Sequence, residues 1–173
     1  MVIILGIVLV VVVLFGTAFA LVLLMDQNNG TQMVANGDYI RYSVTYYGNS
    51  DPVQGYVNMS VSNVKLSGYD ITIEYTGFDI PTETKHFNGI GVLATLDGLG
   101  DTQTDNPTHQ ISTVYGEKSV DVYYKFQNNE GWTSFAGANP LVQYRMDVSG
   151  YGYSIQFLLD STNIEEVQTG NAV

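Results

Sequence analysis

The first 24 residues, Met1 to Leu24, carry no charge, and only Gly6, Gly16 and Thr17 fall outside the strongly hydrophobic types and alanine. A stretch that is apolar on every side cannot lie on a domain surface as an amphipathic helix and has to be buried all round. As a helix it reaches roughly 36 Å, enough to cross a hydrocarbon core about 30 Å thick. The sequence therefore predicts one continuous hydrophobic helix over residues 1–25, set in a membrane or in the core of an assembly.

The flanks of this stretch narrow the choice. A cleavable secretory signal has a basic start, an apolar run of about 7 to 15 residues and a small-residue cleavage site. Here the basic start is missing, and the apolar run continues through Leu21-Val22-Leu23-Leu24-Met25 beyond Thr17-Ala18-Phe19-Ala20, which imitates such a site. A signal anchor carries Lys or Arg at its cytoplasmic end, yet the first basic residue is Arg41. A chain that opens Met1-Val2-Ile3-Ile4 reads as a product whose short basic leader has been removed.

Three features together, the uncharged stretch, the Asp26-Gln27-Asn28-Asn29-Gly30 break and the β-rich sequence beyond it, make the N-terminus resemble the mature end of type IV pilin-like or archaellin-like subunits. Leu5 stands where bacterial pilins usually carry a glutamate, so the resemblance is to the archaeal kind. It implies helices bundled into the core of an extracellular filament, globular domains on its outside, and membrane insertion before assembly. Helices packed among copies of themselves use small residues for close approach. Gly6, Gly16, Thr17, Ala18 and Ala20 supply such positions, although small residues are also common in any membrane helix.

Residues 26–37 read as a polar stalk, residues 38–167 as one β-rich exterior domain and residues 168–173 as a frayed tail. Tyr39 to Thr76 predicts a three-stranded antiparallel meander. Within it Val57, Met59 and Val61 alternate with Asn58, Ser60 and Ser62. Further strands are predicted over Thr84 to Phe87, Gln110 to Tyr115, Val120 to Gln127, Val142 to Val148 and Tyr153 to Leu159. Only Ile90 to Leu96 and Ser161 to Val167 fit short helices. The expected class is α+β: a long hydrophobic helix followed by an all-β antiparallel sandwich or barrel. The 13 tyrosines suit strands, where one ring face packs and the hydroxyl reaches water; an aromatic platform for a ligand is their other use.

With 17 acidic and 6 basic residues the formal net charge is -11, which disfavours nucleic acid and anionic lipid head groups as partners. The absence of cysteine excludes disulfides, thiolate metal sites and cysteine nucleophiles. The loop from Asp97 to Asn106 offers oxygen ligands to a hard cation such as Ca2+, with Asp97, Asp101 and Asp105 as candidates. It lacks EF-hand spacing, and a solvated turn-rich loop is the competing reading. His86 and His109 lie in separate segments without HExxH or GxSxG motifs nearby, and no Walker or GxGxxG loop is present, so an enzyme and a bound cofactor are not expected. Asn29 and Asn58 head intact N-glycosylation sequons.

These readings converge on a structural subunit of an extracellular pilus-like filament, a homo-oligomer held in the membrane before assembly. The alternative is a non-polymerising, singly anchored surface β-domain that binds a ligand or partner.

Overall fold

The computed structural model describes residues 34–48, 51–88, 102–103, 109–127, 129–138 and 141–173. Ten strands make up most of them: β1 (Tyr39–Tyr47), β2 (Val53–Lys65), β3 (Gly68–Thr76), β4 (Glu83–Asn88), β5 (Thr102–Gln103), β6 (His109–Thr113), β7 (Gly116–Gln127), β8 (Glu130–Ala138), β9 (Leu141–Gly150) and β10 (Tyr153–Thr162). One short helix follows, α1 (Glu165–Thr169). All pairings are antiparallel, in the order β4-β3-β2-β1-β10-β9-β8-β7-β5, with β6 also on β7.

The meander expected from Tyr39 to Thr76 is present as β1, β2 and β3, with Val57, Met59 and Val61 buried as the alternation requires. The α+β class is corrected. The described residues form an all-β unit built on one continuous sheet, neither two separate sheets nor a closed barrel path. Among them no helix is long and apolar enough to cross a membrane. The membrane-spanning helix and the pilin architecture therefore find no place in the described fold; the helix expected over residues 1–25 and the short one over Ile90 to Leu96 lie outside the described residues. The physical reason is that the sheet buries its inner face against itself. The large core cluster consists of strand residues joined by Val34, Ile80, Ile164 and Val167.

Self-burial depends on a split in the sheet. β9 and β10 pair only from Gly150 opposite Tyr153 to Arg145 opposite Leu158. Beyond that point β10 continues on β1 alone and β9 on β8 alone. Each carries one extra residue at the divergence, Asp160 in β10 and Tyr144 in β9, where the register shifts. Such bulges bend a strand and increase its twist. Across the opening the Tyr42 hydroxyl donates to the Gln143 carbonyl at 2.8 Å, in a fully buried position.

The β6–β7 hairpin closes this end. The Tyr115 hydroxyl accepts from the Thr162 amide at 2.8 Å and donates to the Thr162 carbonyl at 3.2 Å. Lys118, wholly buried, donates its ammonium to the carbonyls of Gln168 (2.6 Å) and Gly170 (2.8 Å), at the C-terminal end of α1 where carbonyls lack helical partners. Burial lowers the pKa of this ammonium.

The tail expected to fray from residue 168 is instead docked. Ser119 donates its amide to the Asn171 carbonyl at 2.8 Å, and Lys118 bridges to Ala172. Asn171 packs over Gly137, where a Cβ would stand 2.3 Å from its amide nitrogen. The helix expected over Ser161 to Val167 begins later, at Glu165, because Ser161 and Thr162 extend β10. The Thr162 hydroxyl is taken by the Tyr39 carbonyl at 2.6 Å. Strand β8 was not expected; Glu130 to Ala138 is rich in Gly and Ala and is recruited by pairing on both sides.

Two outcomes follow from this packing. Lys118→Met removes the ammonium donor from the Gln168 and Gly170 carbonyls, leaving Gly170 only the longer bond from the Tyr144 hydroxyl, and should lower unfolding free energy by about 2 kcal/mol in urea titration. The Tyr42 phenol is pushed well above its ordinary value by burial and then by Tyr144. A raised folded-state pKa contributes stability that is complete below about pH 10, where unfolded tyrosine ionises, and is lost as pH rises beyond it. Tyr42→Phe should therefore flatten the alkaline limb of the stability profile while costing about 1 kcal/mol at neutral pH.

Candidate binding cleft at the distal tip

Antiparallel order fixes which loops share an end. The β2–β3 and β6–β7 turns lie with the start of β1, where the chain enters from residue 34. The β1–β2, β3–β4, β7–β8 and β9–β10 connections lie at the opposite end, about 30 Å away by the rise of a ten-residue strand.

At that distal end Phe126 pairs with Gly131, and Gly131 with Ser149, making one cross-strand row whose outer members, Phe126 and Ser149, are exposed. The central member has no side chain, so the row forms a notch. Phe126 and Ser149 are its walls and the adjoining turn adds Tyr151. The resulting cleft of about 290 Å³ is lined by Phe126, Asn129, Gly131, Ser149, Gly150 and Tyr151. Phe126 is 76% exposed and Tyr151 86% exposed, far beyond what packing needs. Two residues before Phe126, and so on the same face of β7, Tyr124 is also exposed.

The cleft rests on a braced base. The Tyr153 hydroxyl donates to the Glu130 carboxylate, tying the β9–β10 hairpin to the start of β8, and the Tyr153 ring stacks on Tyr46 at 6.1 Å. Desolvation first, then Glu130, raises the Tyr153 pKa, so the phenol stays protonated as donor. On the next cross-strand row, Asp147 accepts two bonds from Arg145, at 2.6 and 3.0 Å, and one from Gln156 at 3.2 Å. Its charge is thus neutralised beside the cleft.

The residues singled out in the sequence fall elsewhere. Asn58 sits on the outer face of β2, half-buried, with its amide 3.3 Å from Glu74. Gly6, Gly16, Thr17, Ala18, Ala20, Asn29, Asp97, Asp101 and Asp105 lie outside the described residues. Among the described residues no group of three His, Cys, Asp or Glu could hold a metal ion.

His86 does acquire a partner that sequence did not show. Its Nδ1 lies 2.6 Å from Asp70, which also accepts from Asn63 at 2.6 Å. Asn63 first and His86 second hold the Asp70 carboxyl below its usual range. The order across the strands is Ser62, Asp70, His86, which leaves the imidazole two strand spacings, about 9.5 Å, from the hydroxyl. That arrangement is not a nucleophilic triad. A larger cleft of about 590 Å³ runs between β6 and the β1–β10 pair. The charges beside it are already committed, Arg145 to Asp147 and Asp160 to Arg41.

The tip was only faintly legible in sequence. Tyrosine abundance raised the idea of an aromatic platform, but the residues that build it come from two hairpins and gain meaning only through register. No family model matches the chain, and no curated protein matches it.

The hairpin base gives a direct test. A Cβ on Gly150 would stand 2.5 Å from the Tyr153 ring, so Gly150→Ala should displace that ring from Glu130 and Tyr46 and cost about 1–3 kcal/mol in thermal unfolding.

Proposed function

We propose that this chain is a non-catalytic binding domain of the cell exterior, tethered to a membrane through its apolar N-terminal residues and acting through its distal tip. The observation that carries the reading is the polarity of the fold. The chain enters at one end, and the exposed Phe126 and Tyr151 rings stand at the other. Two further exposed apolar side chains, Leu66 and Val114, occupy the turns at the entry end, which suits an end held near a lipid surface. The net charge of -11 suits a protein kept clear of anionic head groups along its flank.

A filament subunit remains the second reading, favoured by the apolar stretch being followed by no basic residue before Arg41. In it the same domain would form an outer wall, with the tip still pointing outward. Electron microscopy of material sheared from cells separates the two: fibres containing this chain support polymerisation, and a chain left wholly in the membrane fraction supports the tethered form.

Because the chain has no cysteine, single-cysteine variants report position cleanly. Tyr151→Cys should react with a membrane-impermeant maleimide on intact cells. Labelling that occurs only after permeabilisation would overturn the displayed orientation.

A further inference from the structure

We infer that the distal cleft, with the aromatic strip beside it, binds an uncharged oligosaccharide; this rests on the reading of the chain as a displayed binding domain. Pyranose rings present an apolar C–H face and a rim of hydroxyls. A matching site needs exposed aromatic faces, whose negative π-surface attracts those C–H groups, and neutral hydrogen-bonding groups at the edge. The tip offers both. Phe126 and Tyr151 line the cleft together with Gly131, whose missing side chain leaves the notch open. The Asn129 amide and the Ser149 hydroxyl line the same cleft and provide donors and acceptors together.

Size and charge select within this class. About 290 Å³ is at the lower limit of small-molecule sites, suited to one sugar unit, while Tyr124 on the same face of β7 extends the surface to a neighbouring unit. None of the six lining residues is charged, and the chain carries a net charge of -11, so sulfated or uronic-acid glycans would be repelled. A quaternary ammonium would draw on a free carboxylate. The flanking carboxylates are engaged, Glu130 by Tyr153 and Asp147 by Arg145.

The glycine floor supplies a variant that fills the cleft with little disturbance. A Cβ on Gly131 would meet Ser149 at 3.4 Å and Phe126 at 3.7 Å, ordinary contact distances, so Gly131→Leu is accommodated at the backbone and occupies the notch.

The test is calorimetric titration of the full-length protein in a polyoxyethylene detergent, which has neither a sugar nor a choline head group. Cellohexaose, mannohexaose and chitohexaose are the probes, with a heparin hexasaccharide and choline as controls. At least one neutral hexasaccharide should bind. Phe126→Ala and Tyr151→Ala should each weaken it about tenfold, and Gly131→Leu should abolish it with an unchanged far-UV circular dichroism spectrum. The inference is overturned if no neutral probe binds at about 10 mM, if binding survives both Tyr151→Ala and Gly131→Leu, or if heparin or choline is preferred. Labelled Tyr151→Cys with failed sugar binding removes the sugar assignment alone. An unlabelled Tyr151→Cys removes the displayed reading whatever the sugars do.

Discussion

The buried ammonium of Lys118 holds the fold's open end together. A sheet of this length can bury its inner face against itself only if its two halves part and something fills the gap. The parting is achieved by two bulges, at Asp160 and Tyr144, and the filling by the β6–β7 hairpin, helix α1 and the C-terminal residues. Lys118 joins all three, because its stem lies on β7 while its head satisfies the Gln168 and Gly170 carbonyls. Desolvating that charge is costly, and the hydrogen bonds to carbonyls of the short helix offset the cost. Tyr115 and Tyr144 reinforce the junction, reaching Thr162 and Val167.

With its core closed at the entry end, the sheet still buries Ile80 from the β3–β4 connection at its opposite end, but the hairpin ends around Phe126 and Tyr151 bury little. Side chains there are released from packing, and their exposure carries information about use. The exposed rings of Phe126 and Tyr151 at the tip contrast with Tyr69 and Phe87, which stack at 5.5 Å to seal the β3–β4 edge and are buried. The same residue types thus serve two purposes, decided by which end of a strand they occupy. Bracing by Tyr46, Tyr153 and Glu130 makes the tip a fixed surface, as a site built from rigid hairpins requires.

Local patterning predicted much of the strand content. β1, β2, β3, β7, β9 and β10 all carry β-branched or aromatic alternation that a half-buried strand needs. It failed at β8, whose Gly and Ala residues owe their strand conformation to neighbours on both sides. It failed again at the tail, where Gln168 to Ala172 look like a polar end and become ordered through a lysine about fifty residues earlier in the chain. The α+β expectation rested on the apolar stretch at residues 1–24, which lies outside the described residues; the described residues form an antiparallel sheet with the short helix α1.

Sequence by itself determined the uncharged apolar stretch from Met1 to Leu24, the acidic balance, the absence of cysteine and the strand-forming character of most of the remainder. These are properties of composition and short-range alternation, which need no partner to exist. Only the tertiary structure decided that one continuous sheet would bury itself, that Lys118 would be its internal clamp, and that Phe126, Gly131, Ser149 and Tyr151 would meet at one cleft. Each of those facts depends on strand register, and register sums the packing preferences of the whole sheet, which no window of sequence contains.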